Sequence, residues 1–177
     1  ALNITFENSA GFGKQVGQAI AVYAEGDDIS FVNCRMLGHQ DTLFTGPLPI
    51  TEKEAGGFRG PTEFAERIPG RQLYENCYIS GEVDFIFGSA TAYFKNCEPY
   101  ALNRNETINS YYTAPSTYKN QKYGYVFEGC RFTGNCPDKT VMLSRPWRIY
   151  AKAVFLRCEM SGQITDCGFS DWNKPEA

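Results

Sequence analysis

The chain has 177 residues, 21% of them charged and 42% hydrophobic, enough to bury a core and too apolar to stay disordered. A formal net charge of −3, with no block of Lys or Arg, speaks against nucleic acid or an anionic membrane surface as a partner. No apolar run approaches the roughly 20 residues needed to span a bilayer as a helix, and no signal peptide is visible.

Taken in chain order, residues 1–6 already alternate like a strand, which reads as a chain beginning inside a fold and therefore as a fragment. Residues 3–9 then open a pattern that returns at 29–38, 72–81, 92–97, 125–134 and 153–162. Each copy is a short alternating strand followed by a small residue, usually with Gly four positions later. The small residue is Cys34, Cys77, Cys97, Cys130 or Cys158, and Ser9 is placed in that position in the first copy. The Cys positions are 43, 20, 33 and 28 residues apart, a basal period of roughly 20–25 stretched by loops. High aromatic content, with 11 Tyr and 13 Phe, supports strands, and the helical period is missing between the copies. A β-sandwich would show hairpin dipeptides such as Asn-Gly at regular intervals, and these do not occur. The pattern predicts an all-β parallel solenoid.

In such a fold equivalent residues stack about 4.8 Å apart. Cys34, Cys77, Cys97, Cys130 and Cys158 are then one inward column of free thiols, whose parallel side chains do not face each other as a disulfide requires. Cys136 and Cys167 fall off the register, which leaves open a bond between them.

The same register places two acids together. Asp41 lies seven residues after Cys34 and Asp84 seven after Cys77, each three after a repeat glycine, Gly38 or Gly81. They share one position on successive coils if residues 46–70, rich in Gly and Pro, form a long loop. Two carboxylates that close cannot both ionise cheaply, so one pKa should rise and the other fall. Apolar and aromatic neighbours in Gln40-Asp41-Thr42-Leu43-Phe44 and Val83-Asp84-Phe85-Ile86-Phe87-Gly88 strengthen that effect. A turn-forming or calcium-ligating Asp is the plainer alternative for either acid alone. Arg145, in Ser144-Arg145-Pro146-Trp147, offers the cation that keeps one acid charged, and Trp147 is placed to line a sugar site. Gln18 and Gln40 can supply amide donors to an oxyanion. Around the single histidine, His39, a Ser-His-Asp triad lacks a Gly-x-Ser-x-Gly elbow. The Cys ladder is unlike a zinc site, so no metal is expected, and a glycine-rich phosphate loop is also missing.

Four motifs in order resemble the pectin methylesterases, the bacterial branch in particular: Gly17-Gln18-Ala19, Gly38-His39-Gln40-Asp41-Thr42-Leu43, Val83-Asp84-Phe85-Ile86-Phe87-Gly88 and Arg145-Pro146-Trp147. The resemblance runs over essentially the whole chain. It implies a right-handed parallel β-helix that hydrolyses the C6 methyl ester of galacturonate without a cofactor. It also implies Asp84 as nucleophile, Asp41 as general acid and then base, Gln18 and Gln40 as oxyanion donors, and Arg145 as the residue that bonds the nucleophile. Phe87 and Trp147 match aromatic residues of the groove. The implied partner is homogalacturonan, so a secreted protein is expected, acting as a monomer. Three departures stand out: Ser144 where the family usually has Gly, a longer 46–70 loop than in plant members, and the family's N-terminal coils and part of its C-terminal tail missing. Two rival readings are a β-helix enzyme that cleaves the polysaccharide chain, and a carbohydrate-binding β-helix without catalysis.

Overall fold

In the computed structural model, residues 1–52, 56–57 and 60–177 are described. The chain winds through repeated three-strand coils. Strand β1 (Thr5–Glu7) and a single turn of helix α1 (Gly13–Val16) lead into β2 (Val22–Ala24). The next coil is β3 (Ile29–Val32), β4 (Arg35–Leu37) and β5 (Leu43–Thr45), followed by β6 (Arg71–Glu75), β7 (Tyr78–Gly81) and β8 (Ile86–Gly88). Then come β9 (Thr91–Lys95), β10 (Glu98–Ala101) and β11 (Ser110–Pro115), and β12 (Tyr125–Glu128), β13 (Arg131–Gly134) and β14 (Val141–Ser144). Strands β15 (Ala153–Leu156) and β16 (Glu159–Met160) complete the set.

Strands from successive coils pair in parallel to form three sheets, in the orders β3-β6-β9-β12-β15, β1-β4-β7-β10-β13-β16 and β2-β5-β8-β11-β14. This is a parallel β-helix, the solenoid that the repeat predicts. Among the described residues no helix is long and apolar enough to cross a membrane.

The corner between the first two strands of a coil explains the Asn-Cys dipeptides. Asn33, Asn76, Asn96, Gly129 and Arg157 all have φ between 50° and 61°, the left-handed conformation that Asn and Gly tolerate best. The residue after the corner then turns inward. Cys34, Cys77, Cys97 and Cys130 are buried and Cys158 is partly buried, all as free thiols. Each thiol from Cys77 onward leans on a carbonyl one coil back, at 3.4 Å for Cys77 to Phe31 and 3.3 Å for Cys97 to Tyr74.

One register differs from the expected one. Thr5 pairs with Arg35, and Asn3 has φ 56°, so Asn3 is the corner and Ile4 occupies the Cys position. Ser9 lies beyond the strand. The two Asn residues of 3–8 look alike in sequence, but only the one in the left-handed conformation turns the corner. Cys136 and Cys167 do not pair: Cys136 Sγ sits 3.6 Å from the Ala101 carbonyl and Cys167 Sγ is 3.8 Å from Met142 Sδ.

A second inward ladder runs beside the thiols. Phe31, Tyr74, Phe94, Phe127 and Phe155 hold one register along β3-β6-β9-β12-β15. Their ring centroids are 5.3, 4.6, 4.4 and 5.2 Å apart with interplanar angles of 10° or less. Offset stacking of this kind adds to the burial of each ring and fixes the coils in phase. That phase sets the geometry on the outer face of the third sheet.

Candidate active site

Asp41 and Asp84 sit at the entrances to β5 and β8. Leu43 pairs with Ile86, and the Asp41 N–H donates to the Val83 carbonyl at 3.1 Å, so the acids stand on adjacent rungs, about 4.8 Å apart along the helix. Both adopt left-handed backbone, with φ of 63° and 51°. They are therefore turn-forming aspartates and cleft residues at once. The glycine three residues earlier is a matter of space: a Cβ on Gly81 would lie 2.2 Å from Phe85 Cβ and 2.7 Å from the His39 carbonyl oxygen.

Arg145 reaches Asp84 from the end of β14, two strands away across β11. Its own N–H donates to the Thr113 carbonyl at 3.0 Å. Its guanidinium makes two bonds to Asp84, Nε to Oδ1 at 2.7 Å and Nη2 to Oδ2 at 2.6 Å. Two aromatic rings flank the guanidinium, Tyr111 at 3.9 Å and Trp172 at 3.7 Å from their centroids. With its planar fork stacked against Tyr111 and Trp172, Arg145 is held for bidentate bonding.

Burial pushes the Asp41 carboxyl up to about 8, helped by the negative charge of Asp84 and opposed by Arg145. Burial raises Asp84 as well, against the hydrogen bonds and positive charge of Arg145. The expected split of one pKa up and one down is thus replaced by a common upward push, because both carboxyls lose water. What separates them is the guanidinium clamp, which stabilises the charged form of Asp84 over that of Asp41.

Gln18, Gln40, Asp41, Asp84, Phe87, Arg145 and Trp147 all line one cleft of ≈ 170 Å³, together with Ala114 and Trp172. All seven residues picked out by motif therefore meet at one place. Gln18 follows α1, and its segment is tied to that of Gln40 by the Ala19 N–H, which donates to the Gln40 carbonyl at 3.1 Å. Phe87 is almost fully buried, and Trp147 packs edge-on against it at 5.7 Å. Ser144 is also buried and pairs with Thr113, so the wall of the cleft accommodates its side chain.

Sequence reasoning missed Tyr111 and Trp172. Neither falls in a repeat copy, and the only hint was an aromatic residue in an otherwise polar C-terminal segment.

The start of the 46–70 loop packs behind the cleft. Leu48 joins Phe44, Phe87 and Ala114 in a small apolar cluster, and its carbonyl accepts from the Tyr118 hydroxyl at 2.5 Å. Residues 53–55 and 58–59 of that loop lie outside the described residues. A second cleft of ≈ 350 Å³, lined by Pro49–Thr51, residues 116–119, Arg148–Tyr150 and Lys174, borders the first where Lys174 lies 4.4 Å from the Trp172 ring centroid.

A protein-family model described as Pectinesterase matches residues 1–47 and 67–177 and leaves 48–66 unmatched. Pectinesterase 31 of Arabidopsis thaliana is 35% identical over 177 residues, covering 99% of this chain and 47% of its own length. Among solved structures, the pectin methylesterase from carrot superposes with a TM-score of 0.75 at 27% identity, over 98% of this chain and 49% of that one. A pectin methylesterase in complex with a hexasaccharide gives 0.73 at 28% identity, over 92% of this chain and 52% of the other. The chain thus spans about half the length of each of these three proteins.

Proposed function

The chain belongs to the pectinesterase family, and from that premise we propose that it hydrolyses the C6 methyl esters of homogalacturonan to pectate and methanol. The observation that carries the reading is the asymmetric acid pair: Asp84 clamped on both oxygens by Arg145, beside Asp41 raised to about 8, in one cleft with Gln18 and Gln40.

The Asp84 carboxylate attacks the ester carbonyl, and the negative charge that moves to the carbonyl oxygen is received by the amide N–H groups of Gln18 and Gln40. Collapse of that intermediate breaks the bond to methoxide, which takes the Asp41 proton and leaves as methanol. An anhydride between Asp84 and the galacturonyl group remains. Asp41, now a carboxylate, removes a proton from water as the water adds to the anhydride. The bond to Asp84 breaks, which restores its carboxylate; Asp41 is again protonated, and the galacturonyl carboxylic acid, still part of the polymer, leaves and gives its proton to solvent. No cofactor enters this sequence.

Phe87 and Trp147 give the sugar an apolar wall, and the larger neighbouring cleft with Arg148 and Lys174 is suited to the acidic polymer beyond the reacting residue. Pro49, Ile50 and Thr51 of the 46–70 loop then form one wall of that groove. The proposed cell-wall substrate calls for a protein that acts outside the cell, and the scheme asks for no more than a monomer.

The test is a parallel assay of methanol and reducing ends on highly methylated pectin, with the protein at its full natural length. Methanol with unchanged chain length supports the esterase. New reducing ends without methanol would replace it with a chain-cleaving enzyme, and binding without either product with a carbohydrate-binding module.

A further inference from the structure

Glu82 is a fully buried carboxylate that the scheme above does not use, two residues before Asp84. Its two oxygens hold two different segments. Oε1 lies 2.8 Å from Nδ1 of His39, and Oε2 accepts the Gly13 N–H at 3.1 Å. The Glu82 backbone is fixed on both sides, its N–H donating to the His39 carbonyl at 2.8 Å and its carbonyl accepting from the Tyr111 N–H at 3.1 Å.

Both held segments carry a glutamine of the cleft. His39 directly precedes Gln40. Gly13 opens the turn of helix α1 that delivers Gln18. The two segments also press on each other: the Phe12 ring packs on the His39 imidazole at 4.6 Å, and Gly13 lies against the Gln40 side chain. A Cβ on Gly13 would come within 2.5 Å of Gln40 Oε1 and 2.7 Å of Gln40 Cβ. Gly13 is therefore the floor on which the Gln40 amide rests, and Glu82 holds that floor in place.

We propose that Glu82 is a positioning residue for the two oxyanion glutamines, acting through His39 on Gln40 and through Gly13 on Gln18 and Gln40. This rests on the esterase reading, because only a reaction that builds negative charge on the substrate needs those amides fixed before the transition state. A carboxylate suits the task, since it accepts from two donors at once and, buried, gives up both at a high penalty.

The test measures kcat and KM for methanol release from methylated pectin, with thermal unfolding by circular dichroism, for the full-length wild type and its variants. Glu82→Ala should lower kcat roughly 10- to 100-fold with KM changed by no more than about twofold, the mark of an interaction realised in the transition state. Glu82→Gln, whose oxygen can still accept the Gly13 N–H while its NH2 donates to His39 Nδ1 in the tautomer protonated at Nε2, should restore most of the rate. Gly13→Ala should reproduce the loss from the other side of Gln40 while leaving Glu82 intact. Glu82→Ala combined with Gln40→Ala should lose less than the product of the two single losses, because the part of the Glu82 effect that passes through Gln40 is already gone. A folded Glu82→Ala at wild-type kcat, or losses that multiply in the double variant, would overturn the proposal. If Glu82→Ala does not fold, wild-type kcat in Gly13→Ala overturns it just as directly. A wild-type protein that releases no methanol defeats the esterase reading itself, which separates the two failures.

Discussion

Asp84 gives both carboxylate oxygens to Arg145, at 2.7 and 2.6 Å, while Asp41 on the next rung stands part-buried beside that charged pair. Two chemically identical side chains at equivalent positions of a repeat are thus made unequal by one cation arriving from two strands away. Arg145→Lys removes the fork and the stacking on Tyr111 and Trp172 but keeps the charge. We expect kcat for methanol release to fall by roughly 100-fold, comparable to loss of a direct transition-state contact. Retention of more than about half the activity would show that charge alone is enough.

In the proposed reaction Asp41 must be protonated to release methanol, and burial raises its carboxyl to about 8. The rate should therefore be sustained through neutral pH and fall as pH rises past about 8, where the acid is lost. A pH profile of kcat/KM checks this. A falling limb near pH 5 instead would mean that Asp41 is ionised in the working enzyme.

The same raised carboxyl has a consequence for stability. Asp41 binds a proton more tightly folded than unfolded, so its ionisation opposes folding increasingly as pH climbs from about 4, the unfolded value, to about 8. Asp41→Asn should then be more stable than wild type in denaturant unfolding, by a margin that widens over that range. A gap that shrinks with pH would contradict the burial of Asp41 as its cause.

Phe94 is fully buried in the middle of the aromatic ladder, 4.6 Å from Tyr74 and 4.4 Å from Phe127. Phe94→Ala should cost about 3–5 kcal/mol in denaturant unfolding, because rigid neighbours on both sides cannot close the cavity. Phe94→Leu, which refills part of the space, should cost less than half as much.

The repeat made much of this legible. In a parallel solenoid the spacing from one Cys to the next sets the register, so the 43 residues from Cys34 to Cys77 were enough to put Asp41 beside Asp84. The same logic failed at the first coil. Asn3 and Asn8 are both plausible corner residues, and pattern alone favoured the wrong one, Ser9 in place of Ile4. The aromatic ladder three residues before each thiol was present in the letters, yet strand propensity explains a Phe or Tyr there equally well without implying a stack. Tyr111 and Trp172 were illegible for another reason. They act on Arg145 across coils, from a strand with no copy of the Cys motif and from the last segment, and no period connects them. Glu82 shows its role only once Gly13, 69 residues earlier in sequence, is seen on its second oxygen.

In the proposed reaction Asp84 attacks the ester and Asp41 carries the proton. The most direct measurement is methanol release from highly methylated pectin by the full-length wild type, Asp84→Asn and Asp41→Asn, with folding of all three checked by circular dichroism. Methanol is expected from the wild type, with a loss of at least about 1,000-fold in each variant, since either change removes a group the chemistry passes through. Substantial methanol release by a folded Asp84→Asn protein would contradict it, because an amide in place of the carboxylate leaves no nucleophile at the centre of the cleft.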